Sequence, residues 1–269
     1  MRSIWKGYIS FGLVTIPVAI GLAQQRKDVS FRTLSRANMV PVKQKRWDPV
    51  SDTEVGPDDV VKGYEVAKGQ YVTVDEDELA RFSVNQERTI QILEFVALDE
   101  VDPVFFEKAY WIEPQERAER PYALLGEAMR RAGRGAIGRF VLSTKEHLVL
   151  IRPSPEGALI LQTLFYAEDL RRSEEREIAD RVKGVEVREE ELAMAEQLIG
   201  GLTKPFAAEE HTNATRRALV DYLEAKAAGA APVVAAEEPA PAPVVDLMAA
   251  LKASLAAAAA APAEIRKAS

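Results

Sequence analysis

The first twenty residues place the strongest constraint on how this chain folds. A basic start, an apolar middle and small residues near Ala23 are features of a secretory signal peptide. Lys6, Ser10, Thr15 and Pro17, however, interrupt the apolar run, so no clean helical core of the required length exists. Glycines and β-branched residues in the same segment favour bent strands instead, among them Gly7, Gly12, Ile9, Val14, Ile16 and Val18.

The chain is predicted to be mainly β up to about residue 166. Runs rich in β-branched and aromatic residues mark strands, and they occur at 29–34, 40–47, 70–74, 89–98 and 104–112. The clearest unit is a three-stranded meander at 136–142, 148–152 and 158–166, with turns at 143–146 and 153–157.

One helix interrupts the β region. Pro121 stands in its expected first turn, Tyr122, Leu125 and Met129 recur at helical spacing, and Gly133 is suited to end it. Arg130 and Arg131 fall in the last turn, where cations interact favourably with the helix dipole.

The sequence pattern changes from strand-like to helical after residue 166. An amphipathic helix is predicted at 188–202, with Leu192, Ala195, Leu198 or Ile199, and Leu202 on one face. A second helix is expected from Thr212 or Asn213, either of which could cap it, to about Gly229. The acidic runs at 75–78 and 189–191 suit the first turns of helices.

Charge is distributed unevenly along the chain. The formal net charge is −7, yet residues 1–46 hold nine Lys or Arg against one acidic residue, and residues 128–155 hold six against one. Two basic blocks in an otherwise acidic chain would suit a protein that binds DNA only along one channel lined with cations. The alternative is that these cations pair with the acidic segments in a salt-bridged shell.

Several segments together carry a resemblance that runs from residue 1 to about 228. They are IWKGYISFGLVTIPV at 4–18, KGYE at 62–65 with YVTV at 71–74, RTI at 88–90 with LEFV at 93–96, DP at 102–103, YWIEP at 110–114, and ELAMAE at 191–196. In their residues, order and spacing these segments resemble the bacterial Ku family, the DNA-end-binding proteins of end joining. Some relatives carry a Cys-x-x-Cys pair where this chain has Asp48 and Ser51, so we expect no metal site there.

The resemblance implies a mainly β fold with α additions: a Ku-type β-barrel core with a helical C-terminal arm, assembled as a ring-shaped homodimer that double-stranded DNA threads from its end. The core would occupy 1–185, with an encircling arm at about 43–90, followed by a helical region at 186–228. We expect no enzyme activity and no cofactor. The absence of cysteine and of a membrane-spanning apolar stretch fits a cytoplasmic, nucleoid-associated protein.

Binding to DNA ends of any sequence requires contacts to phosphates rather than to base edges. Lys43 and Lys45 are the best candidates of the first block, because alternate residues of a strand point the same way. The full set of DNA-binding candidates is Arg2, Lys6, Arg32, Arg36, Lys43, Lys45, Arg46, Lys62, Arg88, Lys108, Arg130, Arg131 and Arg134.

The C-terminal region carries a candidate partner-binding helix. Residues 229–243 are rich in Ala and Pro and are predicted to be a linker. Beyond it, at 244–269, a short helix presents one apolar stripe that has no core of its own and therefore requires a partner. The resemblance implies that this partner is the ATP-dependent repair ligase, and the stripe consists of Val244, Leu247 or Met248, Leu251 and Leu255.

Three motifs that could be taken for catalytic or modification signals are not interpreted as such. The GxGxxG pattern at 133–138 follows a helix and precedes a strand, the reverse of what dinucleotide binding needs. Asn213-Ala214-Thr215 is better explained as a helix cap than as a glycosylation site. His147 and His211 are the only histidines, and no serine, carboxylate or metal constellation accompanies them.

Two other functions stay open on the sequence alone. The chain could be an acidic β-rich scaffold that recruits a partner through its C-terminal helix without binding DNA. The acidic segments could also serve a metal-dependent nuclease, a weaker hypothesis because they lack any spaced partner.

Overall fold

A computed structural model describes residues 1–82, 88–142, 145–229 and 247–260. These residues divide into two compact units. The first contains residues 1–27 and 31–171, and the second contains 28–30 and the chain from Arg172 onward. No helix in the described ranges combines the length and apolar character needed to cross a bilayer.

The core of the first unit is a closed seven-stranded barrel. Its strands are β1 (Trp5–Phe11), β2 (Val14–Leu22), β7 (Thr89–Ala97), β8 (Phe106–Pro114), β9 (Arg134–Leu142), β10 (Lys145–Pro153) and β11 (Leu159–Leu164). They neighbour one another in the order β1-β2-β8-β11-β10-β9-β7, and the parallel pairing of β1 with β7 closes the barrel. The expected barrel and the strand character of the first twenty residues are therefore confirmed.

Inward-facing aliphatic side chains fill the barrel. Ile9, Ile90, Val149 and Leu161 have no exposed surface and share one cluster with the apolar face of α2 (Glu119–Ala132). Tyr122 of α2 donates its hydroxyl to the Ile112 carbonyl at 2.8 Å and accepts from the Leu159 amide at 2.7 Å. This helix therefore covers the barrel core.

The predicted helix around Pro121 is confirmed, including its end. Gly133 adopts a left-handed conformation with φ of 64° and donates its amide to the Arg130 carbonyl. A residue without Cβ reaches this conformation at least cost, which makes it a good helix terminator. Strand β9 then begins at Arg134, so helix precedes strand across the GxGxxG pattern, as predicted.

A long excursion, residues 23–88, leaves the barrel after β2 and returns at β7. Its described part contains two hairpins, β3 (Trp47–Asp48) with β4 (Thr53–Glu54) and β5 (Lys62–Ala67) with β6 (Gln70–Val74), followed by α1 (Glu76–Phe82). Strand β6 matches its predicted bounds, whereas β5 was not among the predicted strands.

The predicted strands at 29–34 and 40–47 are wrong. Only an isolated bridge between Leu34 and Pro41 forms there, and regular pairing resumes at Trp47. Pro41 has no backbone amide to donate to a neighbouring strand, and most side chains of this stretch are exposed. The alternating residues therefore have no sheet with which to pair. Lys43 and Lys45 consequently do not share the face of a strand.

The second unit is helical in its described part. It contains α3 (Arg172–Val182), α4 (Glu189–Leu202), α5 (Ala214–Ala227) and α6 (Leu247–Ala260). The predicted helices at 188–202 and from Asn213 are confirmed, and the Asn213 side chain caps α5 by accepting from the Arg216 amide at 2.8 Å. Helix α3 was not predicted. Val244 and most of the linker lie outside the described residues.

Candidate nucleic-acid interface

The first basic patch lies where β1 meets the start of β7. Lys6 and Arg88, about eighty positions apart in sequence, line one open cavity of about 340 Å³ together with Ser3, Ile4 and Trp5. The Tyr8 amide donates to the Arg88 carbonyl at 2.8 Å. The barrel thus brings a cation of the N-terminal basic block beside one from the RTI segment at 88–90.

Gly7 permits this close approach. A Cβ at position 7 would lie 2.0 Å from the Arg88 carbonyl oxygen and 2.3 Å from the Trp5 ring. Neither distance is tolerated, so only glycine lets the two strands meet here. Trp5 packs edge-on against Phe140 at 5.6 Å between ring centroids and serves the core.

The second basic patch lies at the C-terminal end of α2 and the start of β9. Arg130 and Arg131 both bind Glu127, with the Arg131 Nε to Glu127 Oε1 distance at 2.7 Å. Hydrogen bonds from Arg131 and then Arg130 hold the pKa of Glu127 below its usual value. Arg134 is exposed at the start of the next strand, so this patch holds three arginines and one carboxylate.

The two patches lie at opposite ends of β7 and do not meet within one chain. Arg88 directly precedes this strand, while Arg134 pairs with its last residue, Ala97. Nine residues of extended chain correspond to about 30 Å at ~3.3 Å per residue. The sequence alone suggested that both basic blocks share one surface; the register separates them by the length of one strand.

Arg139 lies between the two patches and is absent from the candidates that the sequence suggested. It is exposed on β9 and pairs in register with Gln91 of β7, while its neighbours Gly138 and Phe140 are buried. Alternation along the correctly predicted strand at 136–142 would have identified it as outward-facing. Glu94 is the one acidic residue of β7.

These barrel cations differ in their pairing. Arg88, Arg134, Arg139 and Lys6 form no ion pair with any described residue. Lys108 on β8 lies 3.4 Å from Glu107, and its side chain stays 60% exposed. Arg2 is exposed just before β1.

The excursion carries the remaining candidates, all on exposed side chains: Arg32, Arg36, Lys43, Lys45, Arg46 and Lys62. Lys45 forms an ion pair with Glu54 beside the β3–β4 hairpin, and Lys62 lies 3.4 Å from Glu76. Part of the alternative considered above, a salt-bridged shell, is therefore present. Exposed pairs of this kind contribute only about 0–1 kcal/mol, so a phosphate could replace the carboxylate.

Asp48 and Ser51 close the β3–β4 hairpin. The Ser51 hydroxyl donates to Asp48 Oδ2 at 2.6 Å, and the Val50 amide donates to Asp48 Oδ1 at 2.9 Å. These bonds, that from Ser51 first, lower the pKa of the Asp48 carboxyl. Nowhere in the described ranges do three metal-ligating side chains cluster.

Comparison with known proteins assigns the fold to a family. The family model of the Ku70/Ku80 beta-barrel domain matches residues 10–194, a range that contains every barrel strand except the start of β1. This chain belongs to the Ku family. The confirmed barrel and the family match agree with the resemblance drawn from the segments between residues 4 and 196.

Relatives in the Ku family match nearly the whole chain. A non-homologous end joining protein Ku from Anaeromyxobacter is 42% identical, with 96% of this chain and 86% of the relative covered. One from Heliobacterium modesticaldum is 41% identical, with 95% and 91% covered. One from Symbiobacterium thermophilum is 41% identical over 96% of this chain, which spans 63% of that longer relative.

Proposed function

We propose that this Ku chain binds double-stranded DNA ends without sequence preference in non-homologous end joining. The observation that carries the proposal is the family's barrel with exposed cations spread along its outer wall. Its relatives are named non-homologous end joining proteins. The chain acts by binding rather than by catalysis, and its ligand would keep it with the nucleoid in the cytoplasm.

The wall formed by β1, β7 and β9 is the proposed phosphate-binding surface. Lys6 and Arg88 stand at one end, Arg134 at the other and Arg139 between them. Their span of about 30 Å is close to one turn of B-form DNA, about 34 Å. Cations at this spacing would contact the backbone on one face of a duplex, which supplies affinity without reading bases.

A homodimeric ring is the proposed assembly. The β5–β6 hairpin is exposed on nearly every residue of both faces, including Tyr64, Val66, Tyr71 and Val72. A lone two-stranded hairpin is marginally stable in water, and exposed apolar side chains in this number mark an interaction surface. A second copy and an enclosed duplex would cover them, with the arm at about 43–90 completing the ring.

Ligase recruitment is assigned to α6. Met248, Leu251 and Leu255 are half-buried and lie along one side of this helix, and this spacing forms an apolar stripe. Leu247 opens the helix, but its side chain, like Val244, lies outside the described residues. The proposed partner is the ATP-dependent repair ligase.

A gel-shift comparison tests DNA-end binding. Linear duplex and a covalently closed circle of the same sequence are each incubated with the protein, with and without magnesium. We expect retardation of the linear form alone, independent of magnesium. Binding to neither form would favour the acidic scaffold, and magnesium-dependent cutting would favour the nuclease.

A double substitution tests the arm separately. Lys43→Ala with Lys45→Ala removes two exposed cations of the excursion, and each phosphate that is no longer neutralised lowers the slope of log K against log salt by about one. An unchanged slope would remove these two residues from the DNA-binding surface while leaving the barrel wall in place.

A further inference from the structure

Helix α6 does not stand free in this structure but packs against α4, within the same compact unit. The half-buried residues of α4 are Glu191, Met194, Ala195 and Leu198, which follow helical spacing along one side. Those of α6 include Met248, Leu251 and Leu255 along one side, whereas half-buried Ala250 lies outside this stripe. The two partly covered stripes therefore belong to the contact between these helices.

The stripe of α6 has room for one partner only. At 100° per residue, Met248, Leu251 and Leu255 fall within about 60° of one another around the helix axis. From Met248 onward, the rest of the helix is alanine apart from Lys252 and Ser254. A second protein that needs large apolar side chains from this part of α6 must use the residues that contact α4.

We propose that α4 is an internal docking site for α6 and holds the partner-binding stripe in a closed state. The inference rests on the proposed recruitment of a ligase through α6 and adds regulation to it. The partner competes with Met194, Ala195 and Leu198 for one stripe, so recruitment requires α6 to leave α4.

The tether makes this competition effective. A short linker between two modules holds them at an effective concentration on the order of millimolar, so even weak helix packing keeps α6 docked most of the time. The apparent affinity for a partner falls by the fraction of molecules in the open state. If α6 is docked nine-tenths of the time, the partner's apparent Kd rises about tenfold.

The apolar side of α4 extends beyond the part that α6 covers. Leu192, Ile199 and Leu202 remain 44%, 65% and 66% exposed. An aspartate at position 195 would place a charge in the α6 contact, because Ala195 is one of its half-buried residues. Ala193, two positions away and exposed on the opposite side of α4, offers a control with the same residue and the same helix-propensity cost.

Thiol accessibility measures docking without any partner. Because the chain has no cysteine, a single Cys reports its own position: Met248→Cys within the half-buried stripe of α6, and Ala253→Cys at an exposed site. We expect maleimide to label position 248 several-fold more slowly than position 253. Ala195→Asp should abolish this difference, and Ala193→Asp should leave it intact. Equal rates in the otherwise unaltered chain would overturn the docking.

Ligase binding then tests the competition, with purified ATP-dependent repair ligase as the probe. We expect the full chain with Ala195→Asp to bind the ligase about tenfold more tightly than wild type or Ala193→Asp. Equal affinities would overturn the closed state as a control on recruitment. If the ligase binds none of these proteins nor a peptide of residues 244–269, recruitment itself fails, and labelling alone decides whether α4 docks α6.

Discussion

Arg139 shows how a residue of the proposed DNA-binding surface can escape a motif-based search. Its strand was predicted correctly, and its alternation with Gly138 and Phe140 follows from the pleat. The sequence did not show which strand lies beside Arg139. It pairs with Gln91 of β7, about fifty residues earlier in the chain. Spacing could place Arg139 on the outside of a strand, but not between two basic patches.

Arg139→Ala is expected to weaken DNA binding with little effect on stability. The side chain is exposed, so the free energy of unfolding should change by no more than about 0.5 kcal/mol. The slope of log K against log salt should fall by about one for each phosphate that this arginine neutralises in the wild-type complex. Fluorescence anisotropy with a short linear duplex measures both the affinity and the slope.

Arg217→Ala on α5 is the matched control, an exposed arginine outside the barrel. Its salt slope should equal that of wild type. A slope unchanged by Arg139→Ala would take β9 out of the DNA-binding surface.

Partial burial of His147 should make the free energy of unfolding depend on pH. It lies on β10, paired with Phe140, and its ring centroid is 5.9 Å from that of Phe140. Burial lowers the pKa of His147 from the ordinary 6.5, against the opposing charge of Glu107. The unfolded chain therefore takes up a proton at this histidine at higher pH than the folded chain does.

Stability should consequently fall as pH drops through about 6.5 and level off once the folded-state histidine is protonated. The loss stays below the roughly 1.4 kcal/mol per pH unit of one full proton. His147→Gln should flatten this part of the profile, measured by urea unfolding between pH 8 and 5. His211→Gln controls for removing a histidine elsewhere. A profile that His147→Gln leaves unchanged would assign the pH dependence to other groups.

At the scale of elements, local pattern predicted those strands and helices that bury one face. Strands β9, β10 and β11 combine β-branched residues with turn-forming sequences between them, and their predicted bounds fall within a few residues of those observed. Helix α3 was missed because it is mostly charged, and its two large apolar residues, Ile178 and Val182, remain 54% and 61% exposed. The stretch 29–47 failed for the opposite reason, because its alternating pattern has no sheet to join.

Barrel closure is the element-level feature that no local pattern contains. Strands β1 and β7 pair in parallel, with Tyr8 beside Thr89, although nearly eighty residues separate them. Gly7→Ala should damage this closure, because its new methyl group would lie 2.0 Å from the Arg88 carbonyl oxygen. Forcing an extra carbon into so short a distance costs about 3 kcal/mol, measurable as a lower midpoint of urea unfolding.

Gly184→Ala is the control for the backbone effect of losing a glycine. A Cβ at position 184 meets nothing within 4 Å, and its φ is not left-handed. This substitution should stay within about 0.5 kcal/mol of wild type. Equal stability of the two variants would mean that β1 and β7 separate readily, and that the closed barrel is not required for the stable fold.

At the scale of the whole molecule, charge distribution explains how an acidic protein could bind DNA. A net charge of −7 repels a polyanion over most of the surface, while cations concentrate along one barrel wall and on the excursion. Binding confined to an enclosed channel would need only this small positive lining. The proposed ring would also change what determines how long the protein stays on DNA, because a threaded protein would leave by reaching an end rather than by breaking all its contacts.

Topological trapping is the expected consequence of a ring. Protein loaded on a linear duplex that is then sealed into a circle should remain bound at salt concentrations that strip phosphate contacts, because log K falls linearly with log salt but a closed circle offers no exit. Cutting the circle once should release the protein at the same salt. Protein added after circularisation is the control and should wash away. If high salt removes the protein from the sealed circle as quickly as from the cut one, the assembly is an open clamp, and the exposed β5–β6 hairpin must be covered in some other way.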